Sequence, residues 1–154
     1  GMISECSFIL GVPEETTETI QETLKLAKHY NPDYAHFLTL APWPYADMYE
    51  SLKPFIEVTD LSQYNLVEPV IKPLAMTLDE LKKQVIDCYR EFYLWKLPQW
   101  FHMKDDFRRG YLIRSMDEML KRSFLKRHGK GLGSMPAEVE SYLQRLKELN
   151  QSPS

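Results

Sequence analysis

The chain moves from short apolar runs to long amphipathic stretches, and that order sets the first expectation. Residues 5 to 11, with "CSFIL" at their centre, are apolar, short and closed by Gly-Val-Pro, the pattern of a buried strand. Thr16 or Thr17 can cap the helix that follows, with Glu18 in its first turn. Ile20, Leu24, Ala27 and Tyr30 then recur at helical spacing, so one face is apolar. Asn31-Pro32-Asp33 stops the helix. "YAHFLTL", residues 34 to 40, reads as a second strand. Strand, helix and strand in this order make a βαβ unit, whose strands are parallel.

Two close prolines in "APWPYADMYESLKP" forbid a regular strand, and a helix before Tyr45. A structured loop with one helical turn at 47 to 52 is expected there. Residues 54 to 75 show no period, although "EPVIKP", with Pro69 and Pro73, is a candidate short edge strand. The rest reads as helical. Thr77-Leu78-Asp79-Glu80 is a capping box. Leu78, Leu81, Val85, Cys88 or Tyr89, and Phe92 mark an amphipathic helix to about Trp95. Pro98 fits the first position of another helix, running in one or two pieces to His128 with Gly110 a candidate break. "HGKGLGS" is a loop, and Ser134 and Pro136 open a last helix to about Leu149. The expected divisions are a βαβ unit at 5–53, a following segment and helix at 54–96, a helical extension at 97–150 and a frayed tail at 151–154. Two parallel strands alone do not make a stable sheet, so the sequence reads as part of a larger α/β structure.

Composition narrows the function classes. At 154 residues the chain is about one domain, with 44% hydrophobic and 27% charged residues, ordinary for a soluble globular protein. A net charge of -3 carries no global nucleic-acid signature. The apolar run at Phe8–Val12 is far too short to span a bilayer, and no leader pattern precedes it. Two cysteines, Cys6 and Cys88, are too few for a disulfide framework or a zinc site. A cytosolic protein with no membrane association is expected.

Catalytic templates are absent. "GKGLG" at 129–133 lacks the strand a phosphate loop needs. His29, His36, His102 and His128 are dispersed, and only His36, inside the second strand, could face a cavity. Cys6 and Cys88 read as small buried apolar residues. Residues 104–130 carry nine Lys and Arg against four acids, either a solvated helix face or an anion-binding patch. Trp43, Tyr45 and Tyr49 lie in the double-proline loop after a parallel strand, where ligands bind. They either line a pocket or lock the loop onto the following helices.

One combination of motifs is more specific. "SFILGVPEETTETIQETLKLAKHYNPDYAHFLTLAPWPYADMY" resembles the C-terminal half of a radical S-adenosylmethionine (radical SAM) domain. The family's fifth strand carries Gly-x-Ile-x-Gly-x-x-Glu, matched here by Ile9, Gly11 and Glu14, with Ser7 in place of the first Gly. The Thr-capped helix, the "NPDYA" approach to the last strand and the proline-aromatic-proline loop also match. That loop commonly continues Gly-Thr, where this chain has Tyr45-Ala46. "DLSQYNLVEPVIKPLAMTLDELKKQVIDCYREFYLWK" is similar to the segment after the barrel in cobalamin-binding radical SAM proteins, the anaerobic Mg-protoporphyrin IX monomethyl ester oxidative cyclase type among them.

The resemblance implies an α/β fold, part of a partial (β/α)6 barrel followed by an α-helical extension. It implies that Ile9, Gly11, Glu14, Leu40 and Ala41 lie at the cofactor's adenine: Ile9 as an apolar side chain, Gly11 as close-approaching backbone, Glu14 supporting the turn or the helix start. Outside that setting, Ile9 and Leu40 would be plain core residues. The family's Cys-x-x-x-Cys-x-x-Cys loop, which holds a [4Fe-4S] cluster, has no counterpart here. No catalytic or metal-ligating residue is therefore assigned, and no cofactor is expected on this chain alone. S-adenosylmethionine, the cluster and, in this class, cobalamin belong to an intact protein. The expected partner is a missing N-terminal half barrel, or a second copy. The reading from a different class is a stand-alone interaction or anion-binding module.

Overall fold

The computed structural model describes residues 2–122 and, beyond them, positions 141 and 144. The loop expected at 128–134, the end of the helix at His128, most of the last helix and the tail lie outside the described residues. The chain divides into two compact units, residues 1–92 and 93–154.

The first unit is built on two parallel strands, β1 (Glu5–Leu10) and β2 (Tyr34–Thr39), joined through helix α1 (Thr17–Tyr30). Thr16 caps α1: its hydroxyl accepts from the Thr19 N–H, and the Thr16 N–H returns to the Thr19 hydroxyl. Asn31, at φ 51°, ends the helix in the left-handed region that Asn tolerates. Register is fixed at the base of the sheet. Asp33 accepts from both the N–H (2.8 Å) and the hydroxyl (3.0 Å) of Ser4, whose hydroxyl accepts in turn from the Asp33 N–H. The Tyr34 N–H donates to the Ser4 carbonyl.

One face of the sheet is covered. Phe8 and Leu10 from β1 and Ala35, Phe37 and Thr39 from β2 are buried there. Helix α3 (Leu78–Phe101) meets them through Tyr89 and Phe92, whose rings stand edge-on to Phe37 at 5.4 and 6.1 Å. Helix α1 contributes Ile20, Leu24 and Ala27 to the buried set, and Gln84–Thr17 and Lys28–Glu91 contacts tie it to α3.

The segment between β2 and α3 keeps the expected helical turn and departs from expectation at the candidate edge strand. A single helical turn, α2 (Tyr49–Leu52), runs into a 3-10 turn at Lys53–Phe55. The candidate edge strand at "EPVIKP" does not join the sheet. Ile71 bridges antiparallel to Ile56, with Glu57 N–H to Val70 carbonyl and Lys72 N–H to Phe55 carbonyl bonds around it. Pro69 and Pro73 remove a donor on each side, which confines pairing to this short patch.

In α3 the expected stop near Trp95 and restart at Pro98 are replaced by one continuous helix that carries Pro98 inside it. Tyr93, Leu97 and Trp100 are all buried and fall at i, i+4 and i+7, so a single apolar stripe continues past the proline. In the second unit, that stripe accompanies α4 (Asp106–Arg122), whose Leu112, Ile113 and Met116 are buried. The helix break falls at 102–105, not at Gly110, because Asp105 caps α4 by accepting from the Arg108 N–H at 3.0 Å.

Candidate functional site at the strand ends

Ligands of parallel sheets gather at the carboxyl ends of the strands. Here that edge is formed by Leu10, Gly11 and the turn to Glu15 on one side, and by Thr39 to Trp43 on the other. The Leu40 N–H donates to the Leu10 carbonyl at 2.8 Å, so the pairing extends one step beyond the strands and brings Gly11 and Leu40 to the same edge.

Gly11 sits at φ 85°, a conformation that favours glycine. Its N–H donates to the Glu15 carboxylate at 3.1 Å. Glu15 is 5% exposed and also accepts from the Thr19 hydroxyl. The turn-supporting role expected of Glu14 therefore belongs to Glu15, while Glu14 is exposed. Two adjacent glutamates after a proline gave the sequence no signal for choosing between them. A side chain at Gly11 would meet Leu81 of α3, with Leu81 Cδ2 only 2.8 Å from an ideal Cβ. The space beside Gly11 is thus taken by the helix.

Ile9 is not a core residue: it is 51% exposed. Side chains alternate along a strand, so Ser7 and Ile9 share a face with His36 and Leu38, opposite the buried Phe8, Leu10 and Phe37. That second face is open. At its base His36 Nε2 lies 2.7 Å from a Glu5 carboxylate oxygen. Leu40 is half-buried, and Ala41 belongs to a separate small core with Tyr64, Val70 and Ile71. Ile9 and Ala41 are therefore in different surroundings, while Leu40 packs against the same small core as Ala41.

Trp43 packs against that small core, and its ring is 5.5 Å from Tyr64 and 6.2 Å from a stacked Tyr45. The loop is locked, as one alternative had it, but onto residues 52–71 and not onto the long helices. Tyr45 itself is exposed. Beyond β2, the Thr39 N–H donates to the Leu66 carbonyl at 2.8 Å and the Thr39 hydroxyl to Glu68. Leu66 is held at φ 63°, an uncommon conformation for a bulky residue.

Neither cysteine is available as a metal thiolate pair. Cys6 is half-buried in β1, not fully buried, and burial, with Glu91 and Asp87 adding to it, pushes the Cys88 thiol up to about 12. A [4Fe-4S] cluster held by three thiolates does not fit a chain with two cysteines. Among the described residues, no three His, Cys, Asp or Glu side chains group as metal ligands. In the basic segment, Arg109 is engaged with the Met103 carbonyl and Asp106. No described helix is long and apolar enough to cross a membrane.

This edge carries the residues on which the sequence resembles radical SAM proteins. The chain is 40% identical over 125 residues, 80% of its length, to an anaerobic magnesium-protoporphyrin IX monomethyl ester cyclase of Rubrivivax gelatinosus. It is 38% identical over 123 residues, 78% of its length, to the protein of the same description in Cereibacter sphaeroides. A third relative, an uncharacterized methyltransferase of Pyrococcus horikoshii, is 32% identical over 90 residues, 57% of this chain and 20% of its own length. Over the residues it shares with them, the chain is a homologue of the anaerobic magnesium-protoporphyrin IX monomethyl ester cyclases, a radical SAM type of protein. It spans 22% and 20% of the lengths of the two cyclases. No protein-family profile matches the sequence, and no solved structure gives a significant match.

Proposed function

We propose that this chain is the C-terminal part of a radical SAM enzyme of the anaerobic cyclase type, contributing the last βαβ unit of a partial (β/α)6 barrel and the helices after it. In that setting the open face of β1 and β2 looks into the barrel, and Ile9, Gly11 and Leu40 stand at the adenine of S-adenosylmethionine. The intact protein would use its iron-sulfur cluster to cleave S-adenosylmethionine reductively and abstract a hydrogen atom from its substrate, for which a tetrapyrrole is the candidate by the names of the relatives. This chain supplies positioning and shielding and has no activity alone, because the thiolates are not in it. The observation that carries the reading is the unlike pair of sheet faces: an apolar side chain that is half-exposed, next to a locked Gly turn, on a strand whose other face buries Phe8 and Leu10.

The test is direct. The purified chain, reconstituted anaerobically with iron and sulfide, shows no cluster absorbance; a stoichiometric [4Fe-4S] signal overturns the reading. The Rubrivivax gelatinosus cyclase with this chain in place of its matching segment cleaves S-adenosylmethionine, and the same protein with that segment deleted does not. Alone, the chain self-associates through the uncovered strand face and edge. Sedimentation as a clean monomer at high concentration counts against that part.

A further inference from the structure

The turn after β1 is held from outside the βαβ unit. Three contacts reach it from residues 74–84. The Leu74 N–H donates to the Pro13 carbonyl at 2.8 Å. The Gln84 amide donates to the Thr17 hydroxyl at 3.2 Å. Between them Leu81, 1% exposed, fills the space where a Cβ on Gly11 would be. From the other side Glu15 holds the Gly11 N–H, and the Glu15 N–H closes the turn onto the Val12 carbonyl at 2.9 Å. Glycine takes φ 85° without strain and is free to leave it, so its neighbours decide where it stays. Here a carboxylate fixes the donor and a leucine fixes the backbone's position.

We infer that Leu81 is a positioning residue for the cofactor edge: the start of α3 sets where Gly11 and Ile9 stand, so the segment after the βαβ unit is part of the S-adenosylmethionine site without touching it. This gives the Gly at position 11 a second reason. It leaves room for a leucine from the helix as well as adopting φ 85°. The inference rests on the proposed function for its ligand, and on geometry alone for the brace. Val85, one turn further along α3 and as deeply buried, supplies none of the three atoms nearest a Cβ at Gly11 and is the matched control.

Two measurements separate the parts. In this chain, Leu81→Ala speeds hydrogen exchange of the Gly11 and Glu15 amides about tenfold more than Val85→Ala does, because local opening and not global unfolding is what it changes. Leu81→Met, which keeps the volume, restores exchange to within about threefold of the parent. Equal acceleration by Leu81→Ala and Val85→Ala overturns the brace. In the exchanged cyclase, Leu81→Ala raises the KM for S-adenosylmethionine about tenfold with kcat moved less, the signature of lost ground-state placement. Leu81→Met returns the KM toward the parent. An unchanged KM beside faster Gly11 exchange overturns the link to the cofactor and keeps the brace. If the exchanged cyclase without further substitution fails to cleave S-adenosylmethionine, the proposed function falls and the exchange result still decides the brace.

Discussion

The two faces of the β1–β2 sheet are made from the same short run of apolar residues and meet opposite fates. On one, Phe8, Leu10 and Phe37 disappear under α3 and α1, with Phe37 touching the rings of Phe8, Tyr89 and Phe92. On the other, Ser7, Ile9, His36 and Leu38 are open or half-open. The first face is where folding free energy is concentrated. The second contributes little to it, which leaves its side chains free to be chosen for another purpose. A parallel sheet ordinarily has both faces covered, so the open face asks for a cover that this chain does not itself provide among its described residues.

The largest test of that contrast is Phe37→Ala. It empties a fully buried aromatic site and is expected to cost about 3–5 kcal/mol, enough to unfold much of the first unit, as urea denaturation would record. Leu38→Ala, its neighbour on the open face, should cost under about 1 kcal/mol. Equal losses would break the comparison.

Alkali should attack the covered face next. Burial raises the Cys88 thiol from 9.0 to about 12. It raises the Tyr89 phenol from 10.0 to about 12, against a backbone hydrogen bond at Phe37 that pulls the other way. The folded chain keeps both protons where the unfolded chain has lost them. Their contribution is therefore intact below pH 9 and is lost as pH rises from 9 towards 12. The slope is about 1.4 kcal/mol per pH unit for each group inside its window. Thermal unfolding across this range should show it, and Cys88→Ala should flatten it.

Gly11→Ala tests the boundary between the faces. It places a Cβ 2.8 Å from Leu81 and forces alanine to φ 85°, at an expected cost of about 2 kcal/mol by chemical denaturation. The smallest effect on stability belongs to Ile9→Ser, within about 0.5 kcal/mol by the same assay, since the side chain is half in water already. Its effect should appear instead in weaker self-association of this chain by sedimentation.

The elements were largely legible in the sequence because their ends are marked by strong local chemistry. Thr16 with Thr19, Asn31-Pro32-Asp33 and Thr77 with Glu80 fix three boundaries through bonds that form within a few residues. What was not legible is which parity of β1 faces inward. "CSFIL" is apolar throughout, so its period cannot distinguish Ile9 from Phe8 and Leu10. The same holds for Glu14 against Glu15, which differ only in direction. The local preference of Pro98 is for a helix start, and the longer stripe of Tyr93, Leu97 and Trp100 overrides it. The Leu81–Gly11 contact joins positions 70 residues apart and leaves no trace in spacing. Short-range capping is readable in the sequence, and the arrangement around Gly11, which depends on long-range side-chain direction, is not.

The bonds between Ser4 and Asp33 have a consequence for how the chain finds this arrangement. Strand pairing displaced by one residue would carry Phe8 and Ile9 past their proper neighbours. It would also break the Ser4–Asp33 exchange and the Tyr34 N–H bond at once. A slipped pairing therefore lacks this fastening, and the pair at the foot of the sheet favours the observed register over its neighbours.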